Sequence, residues 1–291
     1  MRQQSKKSVV ITILLVMILL AGIGIMLYPT ISDWWNLKTQ SRAIATYVEQ
    51  VDDLSTEDYE AILQEARAYN EKLSALETPL YDYEQVAGYE SILDITGTGI
   101  MGYVTIPTID VQLPIYHGTS AEVLNIAIGH LQGTSLPVGG MGTHSVIMAH
   151  RGLPSAKLFS DLDELAVGDT FTVTVLNEVL TYEVCDIAIV LPDEIEKLAI
   201  EPGEDYVTLM TCTPYGVNTH RLLVRGKRIE TDAEAASQVR VTADANQVDP
   251  MIVVPVIAAP FVLILICIWV FGGKKRRRRI FWEGEFNEKK T

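Results

Sequence analysis

Three cysteines are all that this 291-residue chain contains, and that scarcity excludes a disulfide-stapled scaffold. No CxxC or HExxH motif occurs, and no acidic cluster has calcium-loop spacing, so no metal is expected. A glycine-rich phosphate cradle is also missing, and no cofactor is expected. Positive charge is scarce between Tyr28 and Pro250, where 12 Lys or Arg stand against 34 Asp or Glu, a balance of about −22. A field of that sign repels nucleic acid and anionic lipid, so no nucleic-acid partner is expected. Basic partners, lysine amines included, are tolerated or attracted. Repeats and low-complexity tracts are lacking apart from one basic block near the end.

Long apolar runs, by contrast, are present. One covers 9–27 behind Arg2, Lys6 and Lys7; the other covers 251–271 ahead of Lys274, Lys275 and Arg276 through Arg279. Each is long enough to cross a hydrocarbon core of roughly 30 Å as a helix. The first is long for a cleaved signal peptide, and 23–29 offers no small-x-small cleavage site, so it is read as an uncleaved anchor. Both basic clusters stay cytoplasmic under the positive-inside rule, which turns the intervening domain outward. The expectation is a two-pass cell-membrane protein with an extracellular domain. Its parts are a cytoplasmic N-terminus (1–8), a span (9–27), a helical segment (28–98), a barrel (99–230), a linker (231–250), a second span (251–271) and a basic cytoplasmic tail (272–291).

Periodicity divides the outward part. Ser32 or Asp33 can cap a helix carrying Trp34, Leu37, Ile44, Tyr47, Val48 and Val51, and Ser55-Thr56-Glu57-Asp58 is a second capping signature. Pro79 breaks the helical pattern. After Gly97-Thr98-Gly99 the period becomes that of strands, expected at 102–107, 111–116, 145–150, 171–176, 180–185, 206–212 and 221–228. A hairpin is expected about Asn177-Glu178, with short helices near 121–127, 157–162 and 194–198. Many short strands with turn signals predict a mainly β, closed barrel.

Within that barrel one cysteine stands apart. Cys267 lies in a membrane-type run and Cys185 in an ordinary strand, whereas Cys212 ends the strand Thr208-Leu209-Met210-Thr211-Cys212, nine residues before Arg221. Alternation puts Thr208, Met210 and Cys212 on one face. In an antiparallel hairpin Cys212 then faces Arg221 and Met210 faces Leu223, with opposed β-carbons about 5 Å apart. A one-residue slip would undo this. Pairing with Cys185 would destroy a nucleophile, so no disulfide is expected. A thiol nucleophile needs a proton acceptor, most often histidine. His150 ends an apolar strand before Arg151-Gly152-Leu153-Pro154 and is the candidate. His144 lies toward the far end of that strand, His220 points to the opposite face, and His117 and His130 read as loop residues. Arg221 can stabilise an oxyanion or hold a peptide backbone; Arg225, Lys227 and Arg228 are expected in salt bridges.

These residues together resemble a sortase, and most closely the class C, pilin-polymerising type of Gram-positive bacteria. The resemblance runs from about 99 to 228 and rests on Cys212, on Arg221, and on His150 about sixty residues before the cysteine. Thr211 through Gly226 (TCTPYGVNTHRLLVRG) is its most specific stretch, supported by Gly129-His130-Leu131-Gln132-Gly133-Thr134-Ser135-Leu136-Pro137 and Ala149-His150-Arg151-Gly152-Leu153-Pro154. It implies a sortase-type β-barrel in which Cys212, His150 and Arg221 meet in one groove. It also implies transpeptidation: Cys212 attacks the Thr–Gly amide of an LPXTG-like signal, and the thioacyl group passes to a lysine amine of another pilin subunit.

One departure qualifies the resemblance. Enzymes of that class usually carry an Asp-Pro-aromatic lid motif, whereas this chain reads Glu77-Thr78-Pro79-Leu80-Tyr81-Asp82-Tyr83. Either a lid still forms, with Asp82 or Tyr81 and Tyr83 reaching the groove, or the segment is a spacer. The competing readings are a sortase that attaches surface proteins to peptidoglycan precursor, a hydrolytic cysteine protease, and a non-catalytic surface scaffold.

Overall fold

A computed structural model describes residues 6–231, with side chains from Leu14 onward. The expected second span, the linker beyond 231 and the basic tail lie outside those residues.

The chain begins with one continuous helix, α1 (Lys6–Asp52), that takes in Pro29. A stop after the apolar run and a fresh cap at Ser32 or Asp33 had been expected; the helix continues through both. Asp33 is occupied elsewhere, its carboxylate accepting from the Lys157 backbone N–H at 2.6 Å. The apolar part of α1 is long enough to cross a bilayer and unburied, which fits a membrane anchor. The second capping signature acts as expected. Ser55 caps α2 (Thr56–Ser74) and accepts from the Asp58 N–H at 3.2 Å. A single turn, α3 (Pro79–Asp82), and a 3-10 turn, Tyr83–Gln85, follow.

Eight strands then form a closed barrel: β1 (Ile100–Ile106), β2 (Val111–His117), β3 (Ile128–His130), β4 (Thr143–Met148), β5 (Thr170–Val175), β6 (Glu178–Val190), β7 (Asp205–Thr213) and β8 (His220–Ile229). Their order is β1-β2-β3-β4-β7-β8-β6-β5. Two neighbours are parallel, β2 with β3 and β4 with β7, and each needs a crossover. The first passes through the single turn α4 (Ala121–Leu124), the second through the β5–β6 hairpin. The hairpin turns at Leu176, which holds φ 52°, one position earlier than expected. Of the stretch 157–162 only Leu162 is helical, where turns lead into a 3-10 turn at Leu162–Glu164.

β3 escaped the sequence reading because three residues give no period to detect. Its discovery corrects two histidines. His130 is the last residue of β3 and is fully buried, while His117 ends β2 and is also buried. Neither is a loop residue. Burial pushes the His130 imidazole down to about 4. Its Nε2 lies 2.8 Å from the Ser135 carbonyl, and its Nδ1 lies 3.0 Å from the hydroxyl of Tyr89. Tyr89 also accepts from the Gly118 N–H at 2.8 Å, so it pins the segment after α3 to the barrel.

The inward faces of the strands share one core with α1 and α2. Tyr47 of α1 is fully buried, donating to the Met101 carbonyl at 3.2 Å and accepting from the Leu176 N–H at 2.8 Å. Asn70 of α2 makes a two-sided contact with Leu136, its side-chain amide donating at 3.1 Å and its oxygen accepting at 2.7 Å. These buried polar groups are satisfied by backbone partners far away in sequence, which locks the helices in place.

Candidate active site

β7 carries the cysteine, and its two neighbours carry the other candidates. On one side β8 runs antiparallel, with Cys212 opposite Arg221 and Met210 opposite Leu223. That is the register derived from the hairpin, without a slip. On the other side β4 runs parallel, with Met148 beside Met210. The pairing continues past the formal end of β4: the Ala149 N–H donates to the Met210 carbonyl at 3.1 Å. The Thr211 hydroxyl donates to the Ala149 carbonyl at 2.8 Å. One further step in that register brings the backbone of His150 level with Cys212. His150, Cys212 and Arg221 therefore form a row across three adjacent chain segments.

The loops beyond that row are braced. Arg151 pairs with Asp163 at 2.5 Å, donates to the Thr213 hydroxyl at 3.4 Å, and lies 6.0 Å from the Tyr215 ring centroid. Gly152 holds φ +75°, and a β-carbon there would stand 2.7 Å from that ring. Only glycine lets the loop after His150 lie against the loop after Cys212 in this way. These contacts tie the segments on either side of the row together.

Arg221 is free of carboxylate pairing among the described residues. It donates to the carbonyls of His220 at 3.2 Å and Asn218 at 3.4 Å, which leaves donors for a ligand. Its neighbours behave differently. Arg225 pairs with Glu201 at 3.0 Å and Lys227 with Glu204 at 2.6 Å, as expected, while Arg228 donates to the Ile229 carbonyl and lies over Tyr182. Cys185 and Cys212 are both free thiols; Cys185 is exposed, and Cys212 is partly exposed.

The remaining histidines are accounted for by hydrogen bonds. His144 is buried, its Nδ1 2.9 Å from the Ala199 carbonyl and its Nε2 2.8 Å from the Thr208 hydroxyl. Burial holds its imidazole below the usual range. It lies near the start of β4, level with Tyr206, six residues before His150. The Nδ1 of His220 lies 2.9 Å from the Thr219 hydroxyl.

A groove of about 430 Å³ leads away from Arg221 over the outer faces of β4, β7 and β8. Met148, Met210, Leu223, Val190, Leu131 and Leu198 give it an apolar lining. Leu80, Tyr81 and Tyr83 line it as well, so the segment around α3 reaches the groove. Asp82 turns the other way and pairs with Thr78. The α3 backbone can approach this closely because of Gly133, at φ +91°, where a β-carbon would meet Leu80 Cα at 3.0 Å. No pattern in the sequence marks Leu80 or Met148 as groove residues, since both read as ordinary apolar positions.

Comparisons with known proteins agree with the barrel fold. A Sortase domain profile matches residues 104–229. The crystal structure of sortase C1 from Streptococcus agalactiae is 50% identical, with a TM-score of 0.60, and the alignment covers 66% of this chain and 100% of that one. Sortase C of Streptococcus pneumoniae is 45% identical with a TM-score of 0.59, covering 65% of this chain and 97% of the other. Among curated relatives, Sortase A of S. agalactiae serotype III is 29% identical over 160 residues, 52% of this chain, and Sortase D of Bacillus subtilis 28% over 131 residues, 44% of this chain. The matched stretches span 64% and 63% of those two relatives' own lengths, just under two thirds.

Proposed function

This chain belongs to the sortase family, a family of cysteine transpeptidases, and from that premise we propose that it joins an LPXTG-like signal to a lysine amine of a pilin subunit. The row formed by His150, Cys212 and Arg221 carries the reading. Cys212 Sγ attacks the carbonyl carbon of the Thr–Gly amide as its thiol proton passes to His150. Arg221 donates hydrogen bonds to the oxyanion that develops there. His150 gives a proton to the departing glycine amine, and the C–N bond breaks to leave a thioacyl enzyme. The same imidazole then takes a proton from the incoming lysine amine as that nitrogen attacks the thioester. The new amide forms and the thiol is restored.

The groove supports the donor assignment. Its apolar lining suits the leucine and proline side chains of such a signal, with Arg221 at the end where the scissile amide must sit. The α3 segment closes one wall and acts as a lid, which limits access of water to the thioester. Pilin substrate specificity is a property of the S. pneumoniae sortase C, and the 45% identity to that enzyme supports a pilin as substrate here. In the cell the enzyme is held by the α1 anchor with its barrel outside.

The test is to incubate the protein with an LPXTG peptide, a lysine-bearing pilin domain and a peptidoglycan-type amine together, and to weigh the products. The expected product is the peptide joined to the pilin lysine. Exclusive transfer to the peptidoglycan-type amine, or hydrolysis alone, would replace the pilin assignment. An unmodified peptide with an unlabelled Cys212 would return the protein to the scaffold reading.

A further inference from the structure

Helix α1 meets the domain at the end of the barrel that holds Cys212. β1, β4, β6 and β7 end there, and β2, β3, β5 and β8 begin there, as their pairings require. The contacts of α1 fall in order along the barrel. Asp33 accepts from the Lys157 N–H at 2.6 Å and Asn36 donates to the Ser155 carbonyl at 2.7 Å, both in the loop that follows His150. Gln40 donates to the Ile126 carbonyl at 2.5 Å, just before β3. Tyr47 reaches Met101, near the start of β1, and Leu176, just past the end of β5, at the far end. The apolar run precedes all four contacts in the same unbroken helix.

Distance then becomes decisive. Leu27 and Asp33 are six residues apart, about 9 Å of helix rise. Tyr28, Trp34 and Trp35 fall in or beside that interval, and these residue types settle at the headgroup level of a bilayer. Trp35 is 62% exposed, and its ring lies 6.4 Å from that of Trp34, centroid to centroid. At the same end of the barrel, the β7–β8 loop projects Tyr215 and Val217, 63% and 65% exposed.

We propose that the Cys212 end of the barrel rests against the outer surface of the bilayer that α1 crosses, so that the height of the site above that bilayer sets its rate on a lipid-held peptide. The placement rests on reading 9–27 as an uncleaved span, and its consequence for substrates rests on the transpeptidase reading above. Charge does not hold this face to lipid, because the outward segment is acidic and anionic headgroups repel it. The clamped helix does so instead. Its four contacts, spread from Asp33 to Tyr47, prevent the barrel from swinging about a single hinge.

The experiment uses the full chain in phosphatidylcholine nanodiscs containing spin-labelled lipid. A fluorophore is attached at Val217→Cys or at Met141→Cys, the latter in the exposed loop before β4 at the far end, with Cys185, Cys212 and Cys267 replaced. The label at 217 is expected to be quenched severalfold more strongly than the label at 141; equal or reversed quenching overturns the proposal. A second arm keeps Cys212 and inserts seven helix-forming residues between Ile31 and Ser32, which preserves the helix face and lifts the barrel by about 10 Å. Transfer from a lipid-linked LPXTG peptide should then fall about tenfold as effective concentration is lost, while transfer from the soluble peptide stays unchanged. An undiminished rate on the lipid-linked peptide would overturn the proposal. If neither peptide reacts even before the insertion, the transpeptidase reading fails and the quenching result alone decides the placement.

Discussion

Cys212 and Arg221 face one another on adjacent strands, and a lysine in place of the arginine would keep the charge but lose the fork of donors. Arg221→Lys is therefore expected to lower kcat by about 10²-fold, as loss of an oxyanion donor does, with a smaller change in KM. Steady-state kinetics on the peptide and acceptor would show the split; an unchanged kcat would remove Arg221 from the chemistry. Two other residues govern acid stability. His130 is held neutral by burial down to about 4, and burial lowers His144 as well. The unfolded imidazole takes up its proton near 6.5, so between about 6.5 and 4 the unfolded state binds more protons than the native one. Stability is full above that window and is lost as pH falls through it. Asp205 acts in the opposite sense, because burial raises its carboxyl. Denaturant melts of wild type and His130→Gln at pH 7 and pH 5 isolate the histidine: the wild type should lose more stability on acidification than the variant, and equal losses would dismiss it.

Elements are held by contacts that a period cannot announce. Tyr47 joins α1 to both β1 and the β5–β6 turn through one hydroxyl. Tyr47→Phe leaves a buried carbonyl and a buried N–H without that partner, at a cost of about 1–3 kcal/mol in urea unfolding; a change near zero would mean that those groups find other partners. The α3 lid is testable separately. Removing everything from 77 through 89 would also remove Tyr89, whose hydroxyl ties this segment to His130 and Gly118, and would damage the core. Leu80→Ala with Tyr83→Ala trims the groove wall and leaves Tyr89 in place. Alkylation of Cys212 should then accelerate severalfold, and an unchanged rate would make the segment a spacer. That these side chains reach the groove was open in the sequence, because the Asp-Pro-aromatic motif is missing; in the structure Leu80, Tyr81 and Tyr83 line it while Asp82 pairs with Thr78.

Between Tyr28 and Pro250 the chain is strongly negative, with 12 Lys or Arg against 34 Asp or Glu. Such a field raises the local concentration of a cationic acceptor and is screened over roughly 8 Å at physiological salt. Raising ionic strength should therefore slow transfer to a lysine-rich acceptor while leaving thioacyl formation from a neutral peptide unaffected. Equal salt effects on both half-reactions would show that the charge serves solubility alone.

Local chemistry made some features legible in the chain alone. The barrel class follows from strand periods and turns, the α2 cap from Ser55, and the opposition of Cys212 to Arg221 from a single hairpin whose ends are nine residues apart. Backbone pairing at short range is constrained by chain length and alternation, so sequence suffices there. Other features needed the folded molecule. His150 comes beside Cys212 through a parallel pairing of β4 with β7 that spans about sixty residues, and nothing local dictates which strands become parallel neighbours. The burial of His117 and His130, the reach of Leu80 to the groove, and the clamping of α1 to the Cys212 end are likewise products of long-range packing. Their free energy resides in contacts between residues that the chain keeps far apart until the barrel closes.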